Sequence, residues 1–325
     1  MAPADASAQD DASNERANAR TFHHSAYTPE RIADVRAQRG LSVAVCLPAR
    51  ECAGTVGQIV AALGELRERG ALDRIVVVDA ASPDGTAEIA AAAGAEVWQE
   101  GELMRSFGRV LGKGDAMWRA LSALDSDIVC FLDADSERFS AHFAIGLLGA
   151  LVCEPEVSFV KAFYRRPFAG DAPGAEQGGR VNHLMARPAL AAFYPQLAHI
   201  RQPLAGELAA RRELLLALPF ATGYGVEIAM LIDAWRAVGL REIAQVDLDE
   251  HHNRHQPLSA LSPMALTVLA TIVRRLEQEG RLAADGASAH APPERPPLAS
   301  LGEPSQRAGF AEAQPRADTP AGTRA

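Results

Sequence analysis

Three short runs constrain this chain most: residues 41–47 (LSVAVCL), Arg74–Asp79 (RIVVVD) and 127–132 (DIVCFL). Each is apolar on both alternating faces, so neither face can meet water. Ala/Leu-rich helical patterns separate them, one from about Thr55 and one over 86–93 (TAEIAAAA). Strands buried on both faces and alternating with helices belong to a mostly parallel sheet covered on both sides. Further strands are expected at 157–161 and 243–248, and further helices at Val226–Val238 and 261–276. The fold class is therefore α/β. In such sheets ligands gather at the C-terminal ends of the strands, which tells us where to look for chemistry.

The flanks read differently. Residues 1–20 are rich in Ala, Asp, Asn and Ser and are expected to be disordered. Residues 284–325 turn to Ala, Pro, Gly and Arg and include Ala291-Pro292-Pro293-Glu294-Arg295-Pro296-Pro297, which is expected not to pack. One domain over 21–283 remains, with a first half at about 41–150 and a second at 151–283. The start lacks the basic and apolar regions of a signal peptide, and no uninterrupted apolar run of membrane-spanning length is evident. The net charge of -9 disfavours nucleic acid and anionic membrane as partners. Cys46, Cys52, Cys130 and Cys153 form no Cys-x-x-Cys pair. They read as reduced thiols of a cytoplasmic protein.

Chemistry-bearing residues follow the strands. Asp133-Ala134-Asp135 leaves the third run, and residues at i and i+2 of extended chain point the same way. Two bare carboxylates repel, and a hard cation such as Mg²⁺ or Mn²⁺ resolves the repulsion while bridging to a diphosphate. A solvated acidic turn is the plain alternative. Asp79 ends the second run where a ribose or base would lie. The Ser82-Pro83-Asp84-Gly85-Thr86 turn after it reads first as turn and cap. Gly112-Lys113-Gly114 opens a helix. Its glycines allow a close backbone approach to a ligand and its lysine offers a charge for phosphate, although it is no Walker motif. Arg180 closes a Gly-rich stretch just before a helix expected from Val181, a place suited to clamping an anion. Glu227 lies in a first helical turn behind Gly223-Tyr224-Gly225. His251-His252-Asn253-Arg254-His255 follows the last strand and offers an imidazole ligand to a metal also held by Asp135.

These residues, in this order, resemble the glucosyl-3-phosphoglycerate synthases, a family of retaining glycosyltransferases of the GT-A fold with mannose-transferring relatives. The resemblance spans about residues 22–275. It rests on Pro48-Ala49-Arg50-Glu51, Asp79 with its turn, Gly112-Lys113-Gly114, Asp133-Ala134-Asp135, the Lys161-Ala162-Phe163-Tyr164-Arg165-Arg166 run, Gly178-Gly179-Arg180, Gln202-Pro203-Leu204-Ala205-Gly206-Glu207, Gly223-Tyr224-Gly225-Val226-Glu227 and the histidine loop. It implies that Pro48, Ala49, Glu51 and Asp79 line the nucleoside pocket, with Lys113 near the base and diphosphate and Asp133 near the ribose. It implies Asp135 and His251 as ligands of Mg²⁺ or Mn²⁺. Arg180, Asn182, Gly206 and Arg254 would serve the acceptor and sugar, with Glu227 and Asp135 at the reacting centre. The implied reaction moves glucose from UDP-glucose to D-3-phosphoglycerate, in a possible homodimer; transfer from GDP-mannose is the alternative. Ala80, Asn182 and Asp249-Glu250 depart from the residues the family carries there, which touches donor-base and acceptor choice. Two readings compete: a sugar-phosphate nucleotidyltransferase, which needs a basic Gly-rich turn after the first strand, and a non-catalytic nucleotide-sugar-binding protein.

Overall fold

The structure, a computed structural model, describes residues 19–167, 179–252, 257–282 and 291–302. The called residue Arg254 and most of the Gly-rich stretch before Arg180 lie outside the described residues.

Eight strands form one sheet. They are β1 (Arg20–His23), β2 (Val43–Ala49), β3 (Arg74–Asp79), β4 (Glu96–Gln99), β5 (Ile128–Phe131), β6 (Phe159–Arg165), β7 (Leu208–Arg211) and β9 (Ile243–Glu250). Their spatial order is β1-β9-β6-β7-β5-β2-β3-β4. All neighbours are parallel except β7, which runs antiparallel between β5 and β6. A separate ribbon pairs β8 (Phe220–Ala221) with β10 (Glu294–Arg295).

The period-two pattern of the central strands divides the core. Val43, Val45, Leu47, Ile75 and Val77 face one side, and Ala44, Cys46, Val76 and Val78 face the other. The first side is covered by α1 (Pro29–Arg39), α2 (Val56–Glu68) and α5 (His142–Cys153), and the second by α4 (Lys113–Ala123) and α8 (Val226–Val238). Short helices α3 (Thr86–Ala92), α6 (Arg187–Phe193) and α7 (Arg212–Ala217) fill connections, and α9 (Leu258–Gln278) packs on α8. Cys46, Cys52 and Cys130 are buried free thiols and Cys153 is a half-buried one. Among the described helices, α9 alone is long and apolar enough to cross a membrane by length and composition. It carries Arg275, which is buried and forked onto Asp233 at 2.7–3.0 Å, and it packs Val268, Ile272 and Leu276 into the core.

The expected central strands and helices are all present, with ends displaced by a few residues. Two expectations about the flanks fail. Arg20, read as part of the N-terminal tail, opens β1 in register with Ala244, and Ala19 before it is buried and donates its N–H to His199 Nε2 at 2.8 Å. Within the C-terminal segment read as a tail, residues 291–302 dock on the domain. Glu294 pairs with Arg275, and Arg295 forks onto Asp115 at 2.8 Å from both nitrogens. Trp118 Nε1 donates to Pro296 O at 2.9 Å, and Leu298 is fully buried. Proline forbids a ladder in mid-sheet but not a two-residue strand at an edge. That is the form this segment takes.

Candidate active site

Asp79, Asp133 and His251 stand at or just past the C-terminal ends of β3, β5 and β9. Lys113 opens α4, and Glu227 occupies the first turn of α8. Lys113 Nζ lies 2.5 Å from Asp133 Oδ1 and 3.1 Å from Glu227 Oε1. Burial alone would lower the pKa of this amine. Asp133 and then Glu227 outweigh that and hold it well above the usual lysine range. The sequence pointed to the glycines of Gly112-Lys113-Gly114 as room for a ligand. The structure corrects this for Gly114, where a Cβ would lie 1.8 Å from Ala221 O. That glycine seats α4 on the β8 strand and so aims Lys113. A Cβ on Gly206 would lie 2.4 Å from Asp133 Oδ2 and 2.6 Å from Lys113 Nζ, so here the missing side chain does open the site.

A cleft of ≈ 240 Å³ is lined at one end by Lys113, Asp133, Gly206 and Glu227. Arg166, Arg180, Asn182 and Gln202 line it too, with Tyr224, Leu261, Met264 and Val268 completing the wall. Arg180 and Val181 begin a continuous helical stretch that passes through a π-helix, Asn182–Ala186, into α6. Asn182 is buried. Its Nδ2 donates to Arg201 O at 3.2 Å, and its Oδ1 has no protein partner.

The basic cluster Tyr164-Arg165-Arg166 suits a small anionic ligand on sequence grounds, and the structure adds the residues behind it. Arg166 Nη2 donates to Tyr164 Oη at 2.7 Å, and Tyr164 Oη donates to Glu207 Oε2 at 2.6 Å. Glu207 Oε1 lies 3.0 Å from His251 Nε2, and the Tyr164 ring stacks on the His251 ring at 4.7 Å. Burial opposes the charge on Glu207. The imidazole of His251 and the Arg166 guanidinium outweigh burial and hold its carboxyl far below the usual range. Lys161, also fully buried, donates to Ala205 O behind Gly206. Burial pulls its pKa down to about 8 against the opposing charge of Glu227. Lys161 and Tyr164 stand out in the sequence as polar residues of a largely apolar strand, but nothing in the sequence tells which face of that strand meets the Glu207 loop.

The tautomer with the proton on Nε2 directs it at two acceptors, the Glu207 carboxylate at 3.0 Å and the hydroxyl oxygen of Ser136. Ser136 Oγ sits 2.8 Å from the same nitrogen. Nδ1 is then the bare ring nitrogen, and it is buried with no hydrogen-bond partner. This is the arrangement of a metal-ligating histidine whose second nitrogen is anchored by a carboxylate. Asp135 keeps an exposed face nearby. Partial desolvation and then the Asp133 charge raise its carboxyl pKa, and Lys113 and, less strongly, His251 oppose this. An orphaned imidazole nitrogen beside crowded carboxylates fits a divalent cation.

Asp79 is buried at the end of β3, where its Oδ2 accepts from Ser82 N at 3.0 Å and Gln99 Nε2 at 3.1 Å. Its Oδ1 is buried without a partner, beside a hollow lined by Ala80, Ala81, Gln99, Glu100 and Val110. Pro48 and Ala49 end β2 in register with Val78 and Asp79. Glu51 follows in the left-handed region (φ 54°). The Ser82–Thr86 turn proves to be a brace. Ser82 Oγ, Thr86 Oγ1 and Asp84 Oδ2 accept from the backbone N–H groups of Glu51, Cys52 and Ala53 at 2.9, 2.8 and 3.1 Å.

The parallel sheet and strand-end carboxylates define a nucleotide-diphospho-sugar transferase of the GT-A type, and residues 44–165 match the family model described as Glycosyl transferase family 2. The chain is 42% identical over 267 residues to a glucosyl-3-phosphoglycerate synthase of Petrotoga mobilis, covering 81% of this chain and 82% of that protein. It is 40% identical to the enzyme of that name from Mycobacterium tuberculosis, over 78% of this chain and 79% of the other. The chain belongs to the glucosyl-3-phosphoglycerate synthase family. Among solved structures it is similar to mannosyl-3-phosphoglycerate synthase of Rubrobacter xylanophilus, with TM-score 0.80, 43% identity, and coverage of 87% of this chain and 97% of that one. It is also similar to the M. tuberculosis glucosyl enzyme in complex with Mn²⁺, UDP and glucosyl-3-phosphoglycerate, with TM-score 0.75, 35% identity, and coverage of 87% and 100%.

Proposed function

We propose that this protein transfers glucose from UDP-glucose to D-3-phosphoglycerate with retention of configuration, using Mg²⁺ or Mn²⁺. One observation carries the reading. A single cleft joins the Lys113–Asp133–Glu227 cluster to the cationic wall of Arg166 and Arg180. The first suits a sugar next to a diphosphate, and the second suits a small phosphorylated acid. A cation bound by Asp135 and His251 Nδ1 would neutralise charge on the departing diphosphate.

The chain's own groups do the rest. Lys113 adds a fixed positive charge at the diphosphate end. Asp79 Oδ1 offers an acceptor to the N–H of a pyrimidine base. Arg180 and Arg166 hold the phosphate of the acceptor, and the π-turn at Asn182 sets its depth. The acceptor hydroxyl then approaches the sugar from the face that the diphosphate leaves. Glu227 presents its carboxylate to that sugar, held by Lys113.

Transfer from GDP-mannose is the second reading, favoured by the 43% identity to the Rubrobacter mannosyl enzyme. Nucleotidyl transfer is disfavoured by the brace described above: the 51–53 backbone N–H groups that a phosphate-cradling turn would offer are already occupied by side chains. The test is incubation with UDP-glucose or GDP-mannose and 3-phosphoglycerate, read by mass spectrometry. No glycosylated phosphoglycerate from either donor, together with nucleotide-sugar formed in a parallel incubation with a sugar phosphate and a nucleoside triphosphate, would overturn the proposal.

A further inference from the structure

Away from the cleft, at the seam between β1 and the end of β9, a second group of ligand-type atoms converges. His23 Nε2 lies 3.3 Å from Asp249 Oδ1, and His24 Nε2 lies 2.7 Å from Asp249 Oδ2. One donor atom from each of the three residues falls within 4.8 Å of the others. Neighbouring residues of a regular strand point to opposite faces. Here β1 stops at His23, and the 3₁₀ turn His24–Ala26 starts at once, which swings the second ring beside the first at 4.4 Å between centroids. Asp249 meets them from the other strand in a left-handed backbone conformation (φ 63°), uncommon for a residue with a side chain. Two irregularities on two strands thus serve one convergence.

We propose that His23, His24 and Asp249 form a metal site separate from Asp135 and His251, taking a borderline divalent ion of the zinc type. Donors sharing such an ion at bonds of about 2.0–2.2 Å stand roughly 3.4 Å apart; His23 Nε2 at 3.3 Å from Asp249 already stands at that spacing, and His24 Nε2 at 2.7 Å would move outward by several tenths of an ångström to admit the ion. Two imidazoles and one carboxylate suit zinc, cobalt or iron(II) rather than magnesium, which prefers oxygen. The surroundings fit as well. Ser25 Oγ is 2.8 Å from His23 Nδ1 and accepts its proton once Nε2 takes the metal, replacing the 3.2 Å bond now donated to Nδ1 by Ser25 N. The His142 ring lies tilted against His24 at 4.4 Å between centroids and is itself fixed by a 3.0 Å bond from Nε2 to Leu248 O. His23 and Asp249 keep 45% and 47% of their side-chain surface exposed, which leaves an open coordination position to water. The ion would tie the edge strand β1 to the β9 turn, two residues before His251.

The test uses the untagged full chain with excess Mg²⁺ and UDP, so that the nucleotide site is filled, and titrates Co²⁺ while recording visible absorbance. One further Co²⁺ per chain is expected to bind. Its affinity should fall at least about tenfold in His24→Ala and in Asp249→Asn, and should be unchanged in Asp135→Ala. His23→Gln, at an exposed position, gives the same reading if His24→Ala fails to fold. Absence of the extra Co²⁺, equal affinity in the His23, His24 and Asp249 variants, or loss of binding in Asp135→Ala would overturn the site and leave an ordinary ion pair.

Discussion

Glu207 acts on the reaction through another residue. Its carboxylate fixes which nitrogen of His251 is bare, and Tyr164 and Arg166 fix the carboxylate in turn. Outer partners of a ligating histidine are worth about 10–100-fold in metal affinity. Glu207→Gln should therefore weaken Mn²⁺ binding by about that factor, measured by paramagnetic resonance without any turnover. Unchanged Mn²⁺ affinity would show that Glu207 serves only packing. Arg180→Ala removes a charge-assisted contact worth roughly 1.5–3 kcal/mol. It should raise the Michaelis constant for 3-phosphoglycerate by about one to two decades while donor binding stays near its original value. Lys161 gives a pH prediction. Its folded pKa of about 8 lies below the unfolded value of about 10.4. Below pH 8 both states hold the proton and the full cost of burying the charge is present. Between those two values the unfolded chain binds more protons, so stability gains with pH. Lys161→Met removes the effect, and chemical denaturation should show wild type gaining on the variant by about 1–3 kcal/mol from pH 7 to pH 10. A constant difference would contradict the buried charge. At this scale the sequence displayed Asp133, Asp135, Lys113 and Arg180, because carboxylates at i and i+2 and basic residues beside glycines announce themselves. It did not display Glu207 or Lys161, whose meaning depends on which face of a strand meets which loop.

Among the elements, the docked segment 291–302 carries the clearest prediction. β10 extends β8, Thr222 N donates to Pro293 O at 3.1 Å, and Arg295 meets the buried Asp115. Asp115 in turn lies 3.2 Å from Arg119 and accepts from Leu111 N at 2.9 Å, just ahead of Lys113. Burying Leu298 alone contributes about 1.5–3 kcal/mol. At about 2–4 °C per kcal/mol for a chain of this class, truncation after residue 290 should lower the melting temperature by at least about 3 °C. An unchanged melting curve would restore the reading of this segment as a free tail. The sequence hid the element because four prolines within six positions deny both helix and mid-sheet strand, and only tertiary partners such as Asp115 and Arg275 reveal what it does. β7 was hidden for another reason: LAAR is four residues long and carries no period that separates strand from helix.

For the whole molecule, the doubly buried runs at 41–47, 74–79 and 127–132 made the sheet legible, because a strand without a polar face has few places to go. They also told us that the site lies at the strand ends, where Asp79, Asp133 and His251 are found. The antiparallel insertion of β7 could not be read, yet it brings Gly206 and Glu207 from the second half to Asp133 and His251 of the strand ends. This assembled cleft moves glucose onto a phosphorylated three-carbon acid. The direct measurement is mass spectrometry of the full chain incubated with Mn²⁺, 3-phosphoglycerate and, separately, UDP-glucose or GDP-mannose. Glucosyl-3-phosphoglycerate and UDP are expected in equal amounts, with at least about tenfold less product from GDP-mannose, and with loss of transfer in Asp135→Ala, in His251→Ala and with excess chelator. Full transfer in excess chelator, a preference for GDP-mannose, or no product from either donor would contradict this assignment.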